Sequence, residues 1–186
     1  MLKKILFFSL IASAALFFGC SDSEQPPQDA NKMVSSTLFK LADTDSKPYT
    51  VAKEGNNFIL ENSKKQIVLY DVFATWCAPC RASAPGLARL QKKFTDDLIV
   101  LGITIEEDKS NKDFKEYKQK VGADYTIVNS SDNQRLARAI ASAIKVGQRF
   151  PIPMVVLYKN GKYVTHYVGS VPEEMLESDI KKALGR

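Results

Sequence analysis

Two cysteines separated by two residues, Cys77 and Cys80, stand where an unbroken apolar run meets a helical repeat, and that junction restricts the fold more than any other feature of the chain. The run before it, Ile67-Val68-Leu69-Tyr70-Asp71-Val72-Phe73, is β-branched and aromatic with a single acid, the pattern of a strand buried on both faces. The segment after it, Arg81 to Phe94, spaces Ala84, Leu87, Leu90 and Phe94 three or four residues apart, so an amphipathic helix follows. A strand feeding a helix through Trp76-Cys77-Ala78-Pro79-Cys80 puts Cys77 at the helix N-terminus. Unsatisfied backbone N–H groups and the positive end of the helix dipole there favour a thiolate over a thiol. Pro79 lacks an N–H, which costs nothing in a first turn. Cys80, nearly one turn on, is expected to be the less exposed sulfur and to attack a mixed disulfide formed at Cys77.

The remaining pattern builds a layered α/β domain. Leu38 to Leu41, Tyr49 to Val51 and Asn57 to Leu60 read as short strands, with Asp45-Ser46-Lys47-Pro48 and Glu54-Gly55-Asn56 as turns. Leu98 to Ile103 is a second buried strand, Lys112 to Lys120 a second helix, and Tyr125 to Val128 a short strand. Asp132 to Ile144 holds a third helix, with Ser130, Ser131 or Asp132 as its cap. Met154 to Tyr158, Asn160-Gly161 and Tyr163 to Val168 form a hairpin, and Pro172 opens a closing helix from Glu173 to Leu184. The order strand, helix, strand, helix, helix, hairpin, helix predicts one central mixed sheet with helices on both faces, behind a short N-terminal β extension.

The first 36 residues follow different rules. Lys3 and Lys4 precede an apolar run from Ile5 to Phe18, which is short against the roughly 20 residues of a spanning helix and matches the core of a signal peptide. Residues 1–19 are therefore expected to be removed, leaving 24 basic against 21 acidic residues. So mild an excess, with Lys92, Lys93, Lys109, Lys112, Lys115, Lys118 and Lys120 interleaved with acids at helical spacing, argues against a nucleic-acid partner. Phe17-Phe18-Gly19-Cys20 resembles a bacterial lipobox, although Phe17 stands where a Leu is usual; the resemblance implies a diacylglycerol on Cys20 and a membrane held through that lipid. Residues 20–36, rich in Ser, Asp, Glu, Gln, Pro and Asn, then read as a tether, and residues 37–186 as the folded domain. With Cys20 lipidated, only Cys77 and Cys80 remain to pair.

Other uses of a C-x-x-C pair fit poorly. Zinc needs about four ligands, and beyond this pair the domain offers His166 and carboxylates. Covalent haem attachment needs His where Arg81 stands. A structural bridge across so small a loop would add little stability. Neither metal nor cofactor is expected beyond the redox-active sulfurs themselves.

The stretch Val72-Phe73-Ala74-Thr75-Trp76-Cys77-Ala78-Pro79-Cys80-Arg81 resembles the active-site segment of the thioredoxin superfamily, closest to its membrane-tethered TlpA/ResA-like thiol-disulfide oxidoreductases, and the likeness extends over about Val51 to Leu184. That resemblance implies a thioredoxin fold and assigns three further roles. Asp71, six residues before the first cysteine, would accept the proton of Cys80. Pro153, before Met154 to Tyr158, would be a cis-proline opposite the cysteines, holding the Ile152 backbone to pair with an extended substrate peptide. Trp76, Ala78 and Pro79 would shape the surface on which that substrate sits. The chain departs from the family at Ser83, where TlpA-like members often carry Glu, and at Met154, where the cytochrome c maturation subgroup carries an acid.

The expected function is reduction of disulfides in cysteine-containing exported proteins by a monomer lipid-anchored outside the cytoplasm. A membrane thiol-reductant conduit of the DsbD/CcdA-like kind would restore the dithiol. An oxidant or isomerase on the same site, and a non-catalytic binding or chaperone module, are the alternatives. His166 reads as solvent-facing, and Arg81 as either an electrostatic aid to Cys77 or a plain surface residue.

Overall fold

In the computed structural model, which describes residues 37–61, 63–147 and 149–186, alternating side chains begin the chain as an antiparallel meander of β1 (Thr37–Ala42), β2 (Pro48–Glu54) and β3 (Asn57–Leu60). The expected signal segment 1–19, Cys20 and the tether 20–36 lie outside the described residues. The run Ile67–Phe73 is β4, with all seven side chains buried, and it leads into helix α1 (Ala78–Lys93). There follow β5 (Leu98–Thr104), α2 (Asn111–Val121), β6 (Thr126–Val128), α3 (Asn133–Ala143), β7 (Met154–Lys159), β8 (Lys162–Val168) and α4 (Glu173–Leu184). Five strands form the main sheet in the order β6-β5-β4-β7-β8. β4 pairs in parallel with β5 and antiparallel with β7, so the strand feeding the cysteines is the central one.

Pleating assigns the side chains of β4 to two separate cores. Ile67, Leu69 and Phe73 join Cys77, Cys80, Leu87, Phe114, Tyr117 and Leu176 on the face covered by α1, α2 and α4. Val68, Tyr70 and Val72 join Phe39, Phe58, Leu136 and Ile140 on the face covered by α3 and the meander. This is the mixed sheet with helices on both faces that the element order predicts, and it agrees with the fold that the motif resemblance implies. The meander is held on its face partly by an edge-to-face aromatic series, Phe58 on Tyr158 (centroids 5.5 Å) and Tyr158 on Tyr70 (5.6 Å). In the β7–β8 turn, Asn160 and Gly161 both have positive φ, 49° and 77°, and a Cβ on Gly161 would lie 2.4 Å from Ile59 of the meander. Glycine there meets both the turn geometry and the close approach of β3.

The start of α3 departs from the sequence expectation. Asp132 occupies the cap position, but its backbone is already helical and its side chain makes no capping bond. The carboxylate instead accepts from the Lys40 N–H of β1 (2.7 Å) and from Arg135, while Ser130 Oγ accepts from the Ala42 N–H (2.6 Å). Residues with capping chemistry thus fasten β1 to the α3 face. Among the described residues no helix is long and apolar enough to cross a membrane.

Candidate active site

The site sits where β4 ends and α1 begins. Cys77 is the N-cap residue, its Sγ accepting the Cys80 N–H at 3.2 Å, and its carbonyl accepts from the Arg81 N–H at 3.1 Å. No acidic residue lies in the first helical turn, so nothing there opposes negative charge on the sulfur. Cys77 and Cys80 are disulfide-bonded, with Cα atoms 5.3 Å apart. They are 4% and 3% exposed, so the expected difference in accessibility between them is absent: bonded to each other, both sulfurs pack into the core cluster under α1. Trp76, by contrast, is 65% exposed, and Ala78 and Pro79 are exposed beside it, leaving an apolar apron around a buried pair.

Asp71 lies on the face of β4 that also carries Leu69 and Phe73, the face toward α1. It is 3% exposed, and its register partners are Gly102 on β5 and Val155 on β7. Tyr125 Oη donates to its Oδ2 at 2.9 Å, whereas Oδ1 has no hydrogen-bond partner among the described residues. Burial raises the Asp71 carboxyl to about 7, partly offset by the Tyr125 hydrogen bond. An acid poised near neutrality can both take and return a proton.

The peptide bond between Ile152 and Pro153 is cis, as the resemblance implies, and Pro151 is not the cis residue. Pro153 is buried and shares a cleft with Ala82, Ser83 and Leu87 of α1, which places it against the helix that carries Cys80. Its carbonyl accepts from the Gly169 N–H at 2.8 Å. Ile152 is half-buried beside it.

Two side chains escaped the sequence reading. Glu106, just beyond β5, accepts from both the Thr75 N–H (2.6 Å) and the Thr75 hydroxyl (2.9 Å), while Arg81 donates to the Thr75 carbonyl (3.1 Å). The residue two positions before Cys77 is therefore gripped at every polar group, and Arg81 is spent on a backbone oxygen. An acid just past the C-terminal end of a parallel strand was the available signal, since ligands and reactive groups gather at that edge of such sheets. Removal of the grip by Glu106→Ala is expected to cost about 1–2 kcal/mol and to speed amide exchange from Thr75 to Cys77; Glu106→Gln, which keeps one acceptor oxygen, should fall between. Unchanged exchange in Glu106→Ala would refute the assignment. Tyr125, the second, precedes the short strand β6, and local pattern marks it only as part of that strand.

His166 is half-buried rather than solvent-facing and shares a hydrogen bond with Tyr163 at 2.8 Å. Among the described residues no group of three or more His, Cys, Asp or Glu could hold a metal ion.

A cysteine pair capping the helix that leaves a central buried strand, with a buried acid below it and a cis-proline beside it, defines a thiol-disulfide oxidoreductase of the thioredoxin type. The Redoxin family model matches residues 31–184, and the chain belongs to that family. It is similar to the thiol-disulfide oxidoreductase ResA of Bacillus thuringiensis, 25% identical over 160 residues covering 80% of this chain and 87% of that protein. It is also similar to the thioredoxin-like protein YneN of Bacillus subtilis, 29% identical over 89 residues; that match spans 40% of this chain and about half (52%) of YneN. Among solved structures, a thiol:disulfide interchange protein of the thioredoxin family from Chlorobium tepidum shares the fold, with a TM-score of 0.59, 22% identity, and coverage of 80% of this chain and 94% of that one. Within the thioredoxin superfamily these likenesses point to the TlpA/ResA-like branch.

Proposed function

We propose that this oxidoreductase works outside the cytoplasm, held to a membrane by a lipid on Cys20, and reduces disulfides in exported proteins. The observation that carries the reading is the position of Cys77 Sγ at the helix cap, already receiving the Cys80 N–H. The Cys77 thiolate attacks a substrate disulfide and expels one substrate thiolate. Cys80 then passes its proton to Asp71 and attacks Cys77 Sγ. That step closes the Cys77–Cys80 bond and releases the second substrate thiolate, so two electrons reach the substrate. Trp76, Ala78 and Pro79 supply the apolar contact surface, and Ile152 and Pro153 the backbone edge along which an extended peptide lies. An external dithiol, supplied through a membrane thiol-reductant conduit, reduces the enzyme disulfide again. The signal-like segment 1–19 and the lipobox-like Phe17-Phe18-Gly19-Cys20 support export and anchoring.

The reducing direction is supported by Ala78-Pro79 between the cysteines, which brings no histidine to stabilise the thiolate further; a less stabilised thiolate means a lower potential. Equilibration of the domain with glutathione or dithiothreitol buffers gives the potential directly. The expected value lies nearer that of thioredoxin, about −270 mV, than that of DsbA, about −120 mV. A value at or above the DsbA figure overturns the direction and makes the same site an oxidant.

A further inference from the structure

The proton acceptor of the proposed cycle is not held by β4 alone. Tyr125 reaches it from the segment leading into β6, across the intervening strand β5, and donates to Asp71 Oδ2 at 2.9 Å inside the core. What lets the ring through is Gly102, the residue paired with Asp71 on β5. A Cβ there would lie 3.1 Å from the Tyr125 ring, 3.2 Å from Ile127 and 3.3 Å from the Phe73 ring, closer than side chains ordinarily approach. Gly102 and Tyr125 form one device, a strand glycine that opens a lane and a phenol that fills it, and the bond it permits joins residues 54 apart in sequence.

We propose that Tyr125 is a positioning residue that sets when Asp71 accepts the proton of Cys80, an inference that rests on the role given to Asp71 above. The surroundings of Asp71 leave few other controls. Its strand partners Gly102 and Val155 carry no charge. At the start of α1 the cysteine pair joins the core cluster on this face of β4, and from α2 Tyr117, itself buried, feels the Asp71 charge. Arg81 on α1 and Glu106 just beyond β5 act on Tyr117. Among the described residues the one group bonded to the carboxylate is the Tyr125 hydroxyl, which favours the ionised form against a burial that disfavours it. Loss of that hydroxyl leaves burial unopposed.

The titration of Asp71 can be followed in the oxidised protein, where the cysteines do not ionise, by infrared difference spectra of its carboxyl stretch, with Asp71→Asn identifying the band. Tyr125→Phe is expected to move the midpoint upward by about one pH unit. The ascending limb of disulfide reduction should move with it, so turnover at pH 6 falls about tenfold. Gly102→Ala, which crowds the Tyr125 ring, should move both readouts the same way. A folded Tyr125→Phe protein, or a folded Gly102→Ala protein, whose carboxyl midpoint stays in place overturns the inference, even if Asp71→Asn abolishes the limb as the proposed function requires. If Asp71→Asn leaves the limb unchanged, the role of Asp71 falls and this inference with it.

Discussion

Cys77→Ser is expected to reduce disulfide exchange to the uncatalysed background, whereas Cys80→Ser leaves the first attack intact and stops the cycle halfway. The asymmetry follows from the helix start. Cys77 alone occupies the cap, with the Cys80 N–H directed at its sulfur and no acid in the first turn, so a serine hydroxyl there, un-ionised at neutral pH, has no comparable nucleophilicity. With Cys80 changed, nothing displaces the substrate from Cys77, and a one-to-one mixed disulfide accumulates. Non-reducing electrophoresis and mass measurement of the adduct, with a model disulfide peptide and with exported proteins of the same cell, read the result and identify the clients. Adducts on Cys77→Ser but not on Cys80→Ser would reverse the assignment of the sulfurs.

The second large effect is on stability, and its sign is opposite to its effect on turnover. Asp71→Asn should make the oxidised protein more stable at pH 8 than the parent, and no more stable near pH 3. The folded-state value for Asp71 is raised, from 3.8 to about 7, because burial penalises the carboxylate. Below 3.8 the acid is neutral in both states and burial of charge costs nothing. Between 3.8 and about 7 the unfolded chain has released the proton and the folded chain still holds it, so stability falls as pH rises. Above about 7 the full penalty, on the order of 4 kcal/mol, is in place. An amide of the same shape escapes it. Urea denaturation of both proteins across this range, with the disulfide intact, measures the difference at each pH. A difference that does not grow with pH would show that Asp71 is not held as a buried acid.

Local pattern carried much of the fold in advance, and the places where it failed share a cause. The seven-residue run Ile67–Phe73 announced a strand buried on both faces because only such a strand can dispense with polar alternation. Asn160-Gly161 announced the hairpin because both residues had to adopt positive φ. Ile152-Pro153 and Asp71 became readable through likeness to a family whose motif fixes their offsets from the cysteines and the hairpin. The partners of Glu106 and Tyr125 were not readable, even though the place of Glu106 at a strand end was, since each contact depends on the parallel register of β4, β5 and β6 and no local periodicity encodes a contact over 31 or 54 residues. The cap of α3 misled for the same reason. Asp132 and Ser130 have the right chemistry for a cap, and tertiary partners on β1 claimed it first.

The division of β4 into two faces also has an evolutionary and engineering reading. Asp71 lies on the odd-numbered side of the strand, the side against which the cysteines pack, while Val68, Tyr70 and Val72 look to the meander and α3. The far half of the molecule therefore holds neither the cysteines nor Asp71, and the residues that pack against both cores include Ile105 and Ile152. Repacking around Phe39, Phe58 and Leu136, or grafting a new recognition element onto the meander, therefore changes side chains that do not touch the cysteine cluster directly, with Ile105 and Ile152 as links between the two sides.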